Sequence, residues 1–215
     1  MPVICPTITA AHEKEYKAQM DKITHLAHRV HIDVTDGTFA KSLTVPAEKI
    51  SWPVGLKADI HLMFQEPLIA VRQLINHRPN LIIVHAEAGG SFDEFVRLCQ
   101  DADIKVGVAL MPSTGAEVIV DALDNIDHVM IFSGNLGFQG GSSANLSLLS
   151  KAQLLKDRKP SLEIGWDGGA NLQNVAQLVF GGVDVINVGG YIQQAADPAR
   201  AYEALDRIAQ ETGTT

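Results

Sequence analysis

The chain has 215 residues, 46% hydrophobic and 20% charged, and its 17 Lys+Arg against 25 Asp+Glu leave a formal charge of −8. That composition excludes a disordered or collagen-like chain, and acidity without basic runs argues against nucleic acid and anionic membrane surfaces as partners. Two cysteines, Cys5 and Cys99, make no disulfide framework. No apolar run approaches the ~18 residues that a membrane span needs, and Met1-Pro2-Val3-Ile4-Cys5-Pro6 is no secretory signal. A cytoplasmic protein with a single domain over residues 1–215 is expected.

Short apolar runs alternate with polar stretches of helical pattern. The first run, 3–8, precedes a helix candidate at 11–29, and the second, 30–34, is followed by a long link with only a short turn around 47–50. Run 56–63 leads to helix 66–77, run 81–85 to helix 92–101, run 104–110 to helix 115–123, and run 128–132 to helix 146–158. Run 162–166 leads to helix 171–180, and run 183–188 to helix 198–211. Most runs are rich in Val and Ile, as strands covered on both faces of a parallel sheet are. Ser91, Ser113 or Thr114, Asn171 and Asp197 are capping residue types, and Pro198 suits a first helical position. Eight runs alternating with about eight helical segments point to an α/β fold, a (β/α)8 TIM barrel. A doubly wound open sheet would lead with a Gly-rich turn, whereas the first run here continues Thr7-Ile8-Thr9-Ala10.

In such a barrel the chemistry sits where strands end. His31 and Asp33 stand two apart on one strand and share a face, as do Asp59 and His61 on the next. The seventh run ends in Asp167, before Gly168-Gly169. Two imidazoles and two carboxylates at one barrel mouth make an N2O2 set for one divalent metal ion, Zn, Mn, Fe or Co. Asp59 is the candidate acceptor that would fix the tautomer of His61. His85 and Glu87 are a support pair beneath the site or act directly, and Asp36-Gly37 reads as a turn. The glycines of 137–141, Gly168-Gly169 and Gly189-Gly190 follow the last three strands, where barrels often seat a phosphate. A small phosphate ester beside a metal is the implied ligand.

His31-Ile32-Asp33-Val34-Thr35-Asp36-Gly37-Thr38-Phe39 resembles the pattern H-x-D-V-M-D-G-x-F. With Asp59-Ile60-His61-Leu62-Met63, His85-Ala86-Glu87-Ala88, Gly137-Phe138 and Asp167-Gly168-Gly169, the chain is similar to ribulose-phosphate 3-epimerases from about residue 3 to 204. The resemblance implies that His31, Asp33, His61 and Asp167 bind the metal and that Asp33 and Asp167 are the acid/base pair on opposite faces of C3 of a sugar phosphate. It also implies substrate contacts from Thr7 (where the family has a serine), His61, Met63, Gly137, Phe138, Gln139, Gly140, Gly168, Gly169, Gly189 and Gly190, and a homo-oligomer. One carboxylate removes the proton alpha to the ketone, the metal stabilises the enediolate, and the other carboxylate returns a proton to the opposite face.

The chain departs from the family at several pocket positions. After Phe39 it reads Ala40-Lys41-Ser42 for V-P-N. Thr35 and Phe132 replace methionines, so that Met63 alone keeps the apolar collar, and the exchange is expected to change the shape and polarity of the pocket. The N-P-G-F-G-G-Q loop reads Asn135-Leu136-Gly137-Phe138-Gln139-Gly140-Gly141, and Gly189-Gly190 replaces Gly-Ser. Gln139 is expected to narrow the phosphate seat or to remove a positive-φ conformation. The reaction expected is epimerisation of D-ribulose 5-phosphate to D-xylulose 5-phosphate. Alternatives are the same chemistry on another ketose phosphate such as D-allulose 6-phosphate, a sugar-phosphate-binding barrel without catalysis, or a lyase. Lyases of this kind depend on Asp-x-Lys-x-x-Asp, and no lysine follows Asp33 in that way.

Overall fold

All seven residues of β2 (Arg29–Thr35) and all five of β4 (Leu81–His85) are buried, as strands are when helices cover one face of a sheet and its own curvature encloses the other. In the computed structural model, which describes residues 1–214, β1 (Val3–Ile8), β2, β3 (Lys57–Met63), β4, β5 (Lys105–Leu110), β6 (His128–Phe132), β7 (Glu163–Asp167) and β8 (Val185–Val188) form a closed barrel in sequence order. Every neighbouring pair is parallel, and β1 closes on β8 through Val3 to Val185. The outer core is made by residues such as Ile32, Ile60, Ile82, Val108 and Ile131 against the helices. Residues of opposite parity, among them Leu81, Ile83, Ala109, Met130 and Phe132, pack inside the barrel.

The helices are α1 (Glu13–Ile23), α2 (Leu68–Leu74), α3 (Phe92–Asp101), α4 (Leu149–Arg158), α5 (Val175–Phe180), α6 (Gly190–Gln193) and α7 (Pro198–Gly213). Several are shorter than their sequence pattern. α1 stops at Ile23, where the Thr24 hydroxyl bonds back to the Met20 carbonyl. α2 starts after Pro67, because a residue preceding proline is pushed out of the α region. Ala116–Asn125 is a 3-10 helix, in keeping with its run of β-branched Val118, Ile119 and Val120. Ser91 and Asp197 cap α3 and α7 by accepting from the Glu94 and Arg200 amides. Asn171 instead closes a turn onto the Gln173 amide, and α5 begins beyond it. Gly115, not Ser113 or Thr114, precedes the 3-10 helix. The short α6 directly after β8 has no counterpart among the sequence expectations.

The N-terminal end of the barrel interior is closed by paired charges. Arg29 donates from Nε to Asp59 Oδ2 at 2.6 Å and from both terminal nitrogens to Glu163 at 2.8 Å. His128 Nδ1 lies 2.7 Å from Glu163 Oε2, and Asn80 donates to the other oxygen of Asp59 at 2.6 Å. Burial opposes ionisation of Glu163, but the bonds from Arg29 and His128 outweigh it and hold the carboxyl well below its ordinary range.

Candidate active site

Strand register assembles the opposite end. Asp33 on β2 is paired with His61 on β3, one step beyond the His31 to Asp59 pair, and Asp167 at the end of β7 stands between Phe132 and Asn187. Alternation along β2 turns both His31 and Asp33 inward. His61 Nδ1 is 2.9 Å from Asp33 Oδ1 and 3.9 Å from Asp167 Oδ2, and His31 Nε2 is 3.2 Å from Asp33 Oδ1. One atom from each of His31, Asp33, His61 and Asp167 lies within 4.8 Å of all the others. His31 is fully buried, yet neither of its ring nitrogens has a hydrogen-bond partner among the described residues. Buried polar groups are ordinarily paired. Unpaired imidazole nitrogens turned toward two carboxylates are the donor set that a divalent cation requires.

The carboxylates are held in different states. Burial disfavours the charge on Asp33, but the imidazoles of His31 and His61 set against it prevail and keep its carboxyl well below the usual range. Asp167 is raised to about 7, first by burial and then by the neighbouring charge of Asp33. Burial lowers His61 to about 4 despite Asp33 beside it. His31 moves the other way, because contact with Asp33 outweighs its burial. Thr9 Oγ1 donates to Asp33 Oδ2 at 2.6 Å and fixes that carboxylate from β1.

Two expectations about supporting residues are corrected. Asp59 does not serve His61: both of its oxygens are taken by Arg29 and Asn80 at the far end, because inward residues two apart on a strand sit in successive layers of the barrel. The partner of His61 is His85, with Nε2 to Nε2 at 2.8 Å, and His85 Nδ1 is 3.3 Å from Glu87 Oε2. Thr35 does not line the cavity. Its hydroxyl donates to Ser42 O at 2.6 Å and accepts from the Thr44 amide, tying the following loop to β2. Asp36 does turn chemistry, accepting from the Thr38 and Phe39 amides and also from Gln65.

A cavity of ≈ 270 Å³ opens above Asp33 and Asp167. Its wall includes Thr7, Met63, Gly137, Phe138, Gln139 and Gly140, together with Gly168, Gly169, Gly189 and Gly190. His61 is fully buried behind that wall. Sequence reasoning missed Thr9 and Asn187, which also line it. Each is a polar residue two positions from one that was singled out, Thr7 or Gly189, so strand alternation carried the signal.

The glycines answer to loop packing. Gly168 and Gly169 have φ +115 and +71, and a Cβ would meet Gly134 N at 2.3 Å and Ala144 N at 2.2 Å. Gln139 has no positive φ. Its amide donates to Thr7 O at 3.0 Å and to Gln19 Oε1 at 3.2 Å, drawing the loop after β6 onto the end of β1. Loop 6 then lies so close to loop 8 that a Cβ on Gly190 would meet Gly140 Cα at 2.9 Å. The departures at Gln139 and Gly190 therefore fit one another.

A model described as the ribulose-phosphate 3 epimerase family matches residues 3–193. The chain is 29% identical over 213 residues to "Ribulose-phosphate 3-epimerase" of Helicobacter pylori (strain J99 / ATCC 700824), covering 96% of this chain and 98% of that protein. It is 32% identical over 175 residues to the Aquifex aeolicus (strain VF5) protein of the same name, 78% of each chain. Among solved structures, 3-hexulose-6-phosphate synthase from Salmonella typhimurium aligns with TM-score 0.74 at 18% identity, over 97% of this chain and 99% of that one. KGPDC from Streptococcus mutans aligns with TM-score 0.75 at 12% identity, over 98% of both. These structures share the barrel. Among the described residues no helix is long and apolar enough to cross a membrane.

Proposed function

Since this chain belongs to the ribulose-phosphate 3-epimerase family, we propose that it is an isomerase that inverts C3 of D-ribulose 5-phosphate to give D-xylulose 5-phosphate, with Asp33 and Asp167 as its acid/base pair. The observation that carries this reading is geometric: Asp33 from β2 and Asp167 from β7 line one cavity and both face His61 Nδ1, where the imidazoles push one carboxyl down and burial with mutual charge pushes the other up. Such a pair has a base and an acid ready at the same pH.

Asp33, oriented by Thr9, takes the proton from C3. The C3–H electrons form the C2–C3 double bond of an enediolate, and Asp167 then delivers its proton to the opposite face of C3. Exchange with solvent resets the pair, and the reverse reaction uses the two residues in exchanged roles. Met63 and Phe132 give the cavity an apolar side that limits water at the reacting carbon. The backbone of loops 6, 7 and 8 at Gly140, Gly168, Gly169, Gly189 and Gly190 offers the phosphate seat. The Thr7 hydroxyl, buried and unpaired among the described residues, is free for a substrate hydroxyl. His31, Asp33, His61 and Asp167 would hold one divalent ion of Zn, Mn, Fe or Co, which when bound stabilises negative charge on the enediolate oxygens as a Lewis acid.

Proton NMR in D2O tests the reading, with D-ribulose 5-phosphate and protein loaded separately with Zn, Mn and Fe. Deuterium entry at C3 together with xylulose 5-phosphate is the expected result. Exchange and epimer with ketohexose phosphates alone would move the substrate assignment, and none with any ketose phosphate would overturn the proposal.

A further inference from the structure

Outside the acid/base pair, a line of three polar side chains runs from Glu87 at the surface through buried His85 to buried His61. Glu87 anchors it: Oε1 accepts from the Met111 amide at 3.0 Å, and Oε2 lies 3.3 Å from His85 Nδ1. His85 Nε2 lies 2.8 Å from His61 Nε2. His61 Nδ1 then faces Asp33 Oδ1 at 2.9 Å and Asp167 Oδ2 at 3.9 Å.

Donor and acceptor roles along this line are not free. An ionised carboxylate only accepts, so the proton between Glu87 and His85 belongs to His85 Nδ1. A neutral imidazole has one N–H, which leaves His85 Nε2 bare. Two bare nitrogens at 2.8 Å repel, so the contact requires the proton on His61 Nε2. His61 Nδ1 is thereby the one position on the line left for a positive charge, and it is the atom aimed at the two carboxylates. The reverse order would need the proton on His61 Nδ1, toward Asp33 Oδ1 at 2.9 Å, where it would bar a cation and leave the bare Nδ1 of His85 against the Glu87 carboxylate. Both rings are held in place: His85 packs on Phe39 with ring centroids 4.7 Å apart and on Phe132 at 5.8 Å, and His61 packs on Phe132 at 5.9 Å. His61 is 0% and His85 2% exposed, so water does not reach the contact between the two rings.

We propose that Glu87 and His85 are positioning residues that set the tautomer of His61, placing the proton on Nε2 and leaving Nδ1 to take a cation. The inference rests on the reading of His61 as a metal ligand. Histidine ligands characteristically donate their second N–H to a carboxylate or carbonyl. Here a second imidazole carries that bond to a carboxylate one residue further out.

The test uses the full chain labelled with 15N in histidine, both chelator-treated and loaded with zinc, whose closed shell leaves the spectra sharp. Long-range 1H–15N spectra locate the ring protons, and competition with a chelating dye gives the zinc affinity. In the zinc-loaded unmodified protein the protons belong on His85 Nδ1 and His61 Nε2. Glu87→Gln is expected to lose that fixed pattern and to bind zinc about 10- to 100-fold more weakly. The proposal is overturned if His61 Nε2 is bare in the zinc-loaded unmodified protein, or if folded Glu87→Gln keeps both proton positions and its zinc affinity. Should Glu87→Gln not fold, the proton positions in the unmodified protein decide by themselves. Absence of zinc binding by the unmodified protein would sink the metal reading of the site and the relay with it, whereas zinc binding with His61 Nε2 bare would sink the relay alone.

Discussion

Arg29 and Asp33 lie four residues apart on one strand, yet they belong to buried clusters that treat charge in opposite ways. At the N-terminal end Arg29 meets Asp59 and Glu163 directly, with Asn80 on the other oxygen of Asp59 and His128 sharing Oε2 of Glu163. At the C-terminal end two carboxylates and two imidazoles converge on one cavity, and His31 finds no hydrogen bond among the described residues. Every carboxylate oxygen of the first cluster is met without any ligand, and of its buried side-chain atoms His128 Nε2 alone is unpaired among the described residues. The second is left short of positive charge, which the substrate's chemistry and a cation can use. A barrel divides its work in this way: meeting carboxylates with a fixed cation at one end serves stability, and withholding one at the other serves function.

Asp167→Asn should separate the two ends most sharply. Loss of the acid is expected to slow deuterium entry at C3 by at least ~100-fold, while urea unfolding shows stability unchanged or higher, since a like charge beside Asp33 is gone. Full turnover would refute its role as an acid. Arg29→Met is the mirror experiment. It leaves Asp59 and Glu163 uncompensated and should cost about 3–5 kcal/mol in urea unfolding, with the surviving folded fraction keeping its turnover per molecule. A stable variant would mean that the far-end cluster is not what closes the barrel.

Smaller effects probe each end singly. Thr9→Val removes the bond to Asp33 and should lower kcat by roughly 10-fold or more with little change in KM, as for a hydrogen bond to a charged group. A change in KM alone would assign Thr9 to substrate binding. Gln139→Gly frees the loop after β6 from Thr7 and Gln19, and KM should rise by about 2- to 10-fold at unchanged kcat. Tighter binding would show instead that Gln139 crowds the phosphate. The last effect concerns acid. Glu163, faced by Arg29 and His128 and near Asp59 and Cys5, has its carboxyl held below the ordinary value. Its contribution is therefore fully present above about pH 4.3 and is lost as the pH falls further. In Glu163→Gln, urea midpoints from pH 5 to 3 should fall less steeply than in the unmodified protein. An identical slope would take Glu163 out of the acid response.

Period-two alternation was enough to put His31 beside Asp33 and to aim both at one strand end. The eight Val- and Ile-rich runs were enough to propose the barrel. Element ends were less legible where short-range chemistry intervened, as at Pro67, Thr24 and the β-branched run in 118–120. Asp59 and Thr35 show where local reading stopped. Both were placed on the correct strands, but their partners, Arg29 and Asn80 for one and Ser42 and Thr44 for the other, depend on how the sheet and its loops curve.

The sequence by itself determined the fold class, the inward-facing cluster of His31, Asp33, His61 and Asp167 and the position of the two carboxylates, because these follow from spacing along single strands. Only the tertiary structure decided who answers each of them. It set Thr9 against Asp33, joined His85 to His61, and latched Gln139 to β1. It also pushed the two carboxyls apart in acidity through burial and mutual charge. Those relations join residues far apart in the chain, and barrel closure is what brings them within hydrogen-bond distance.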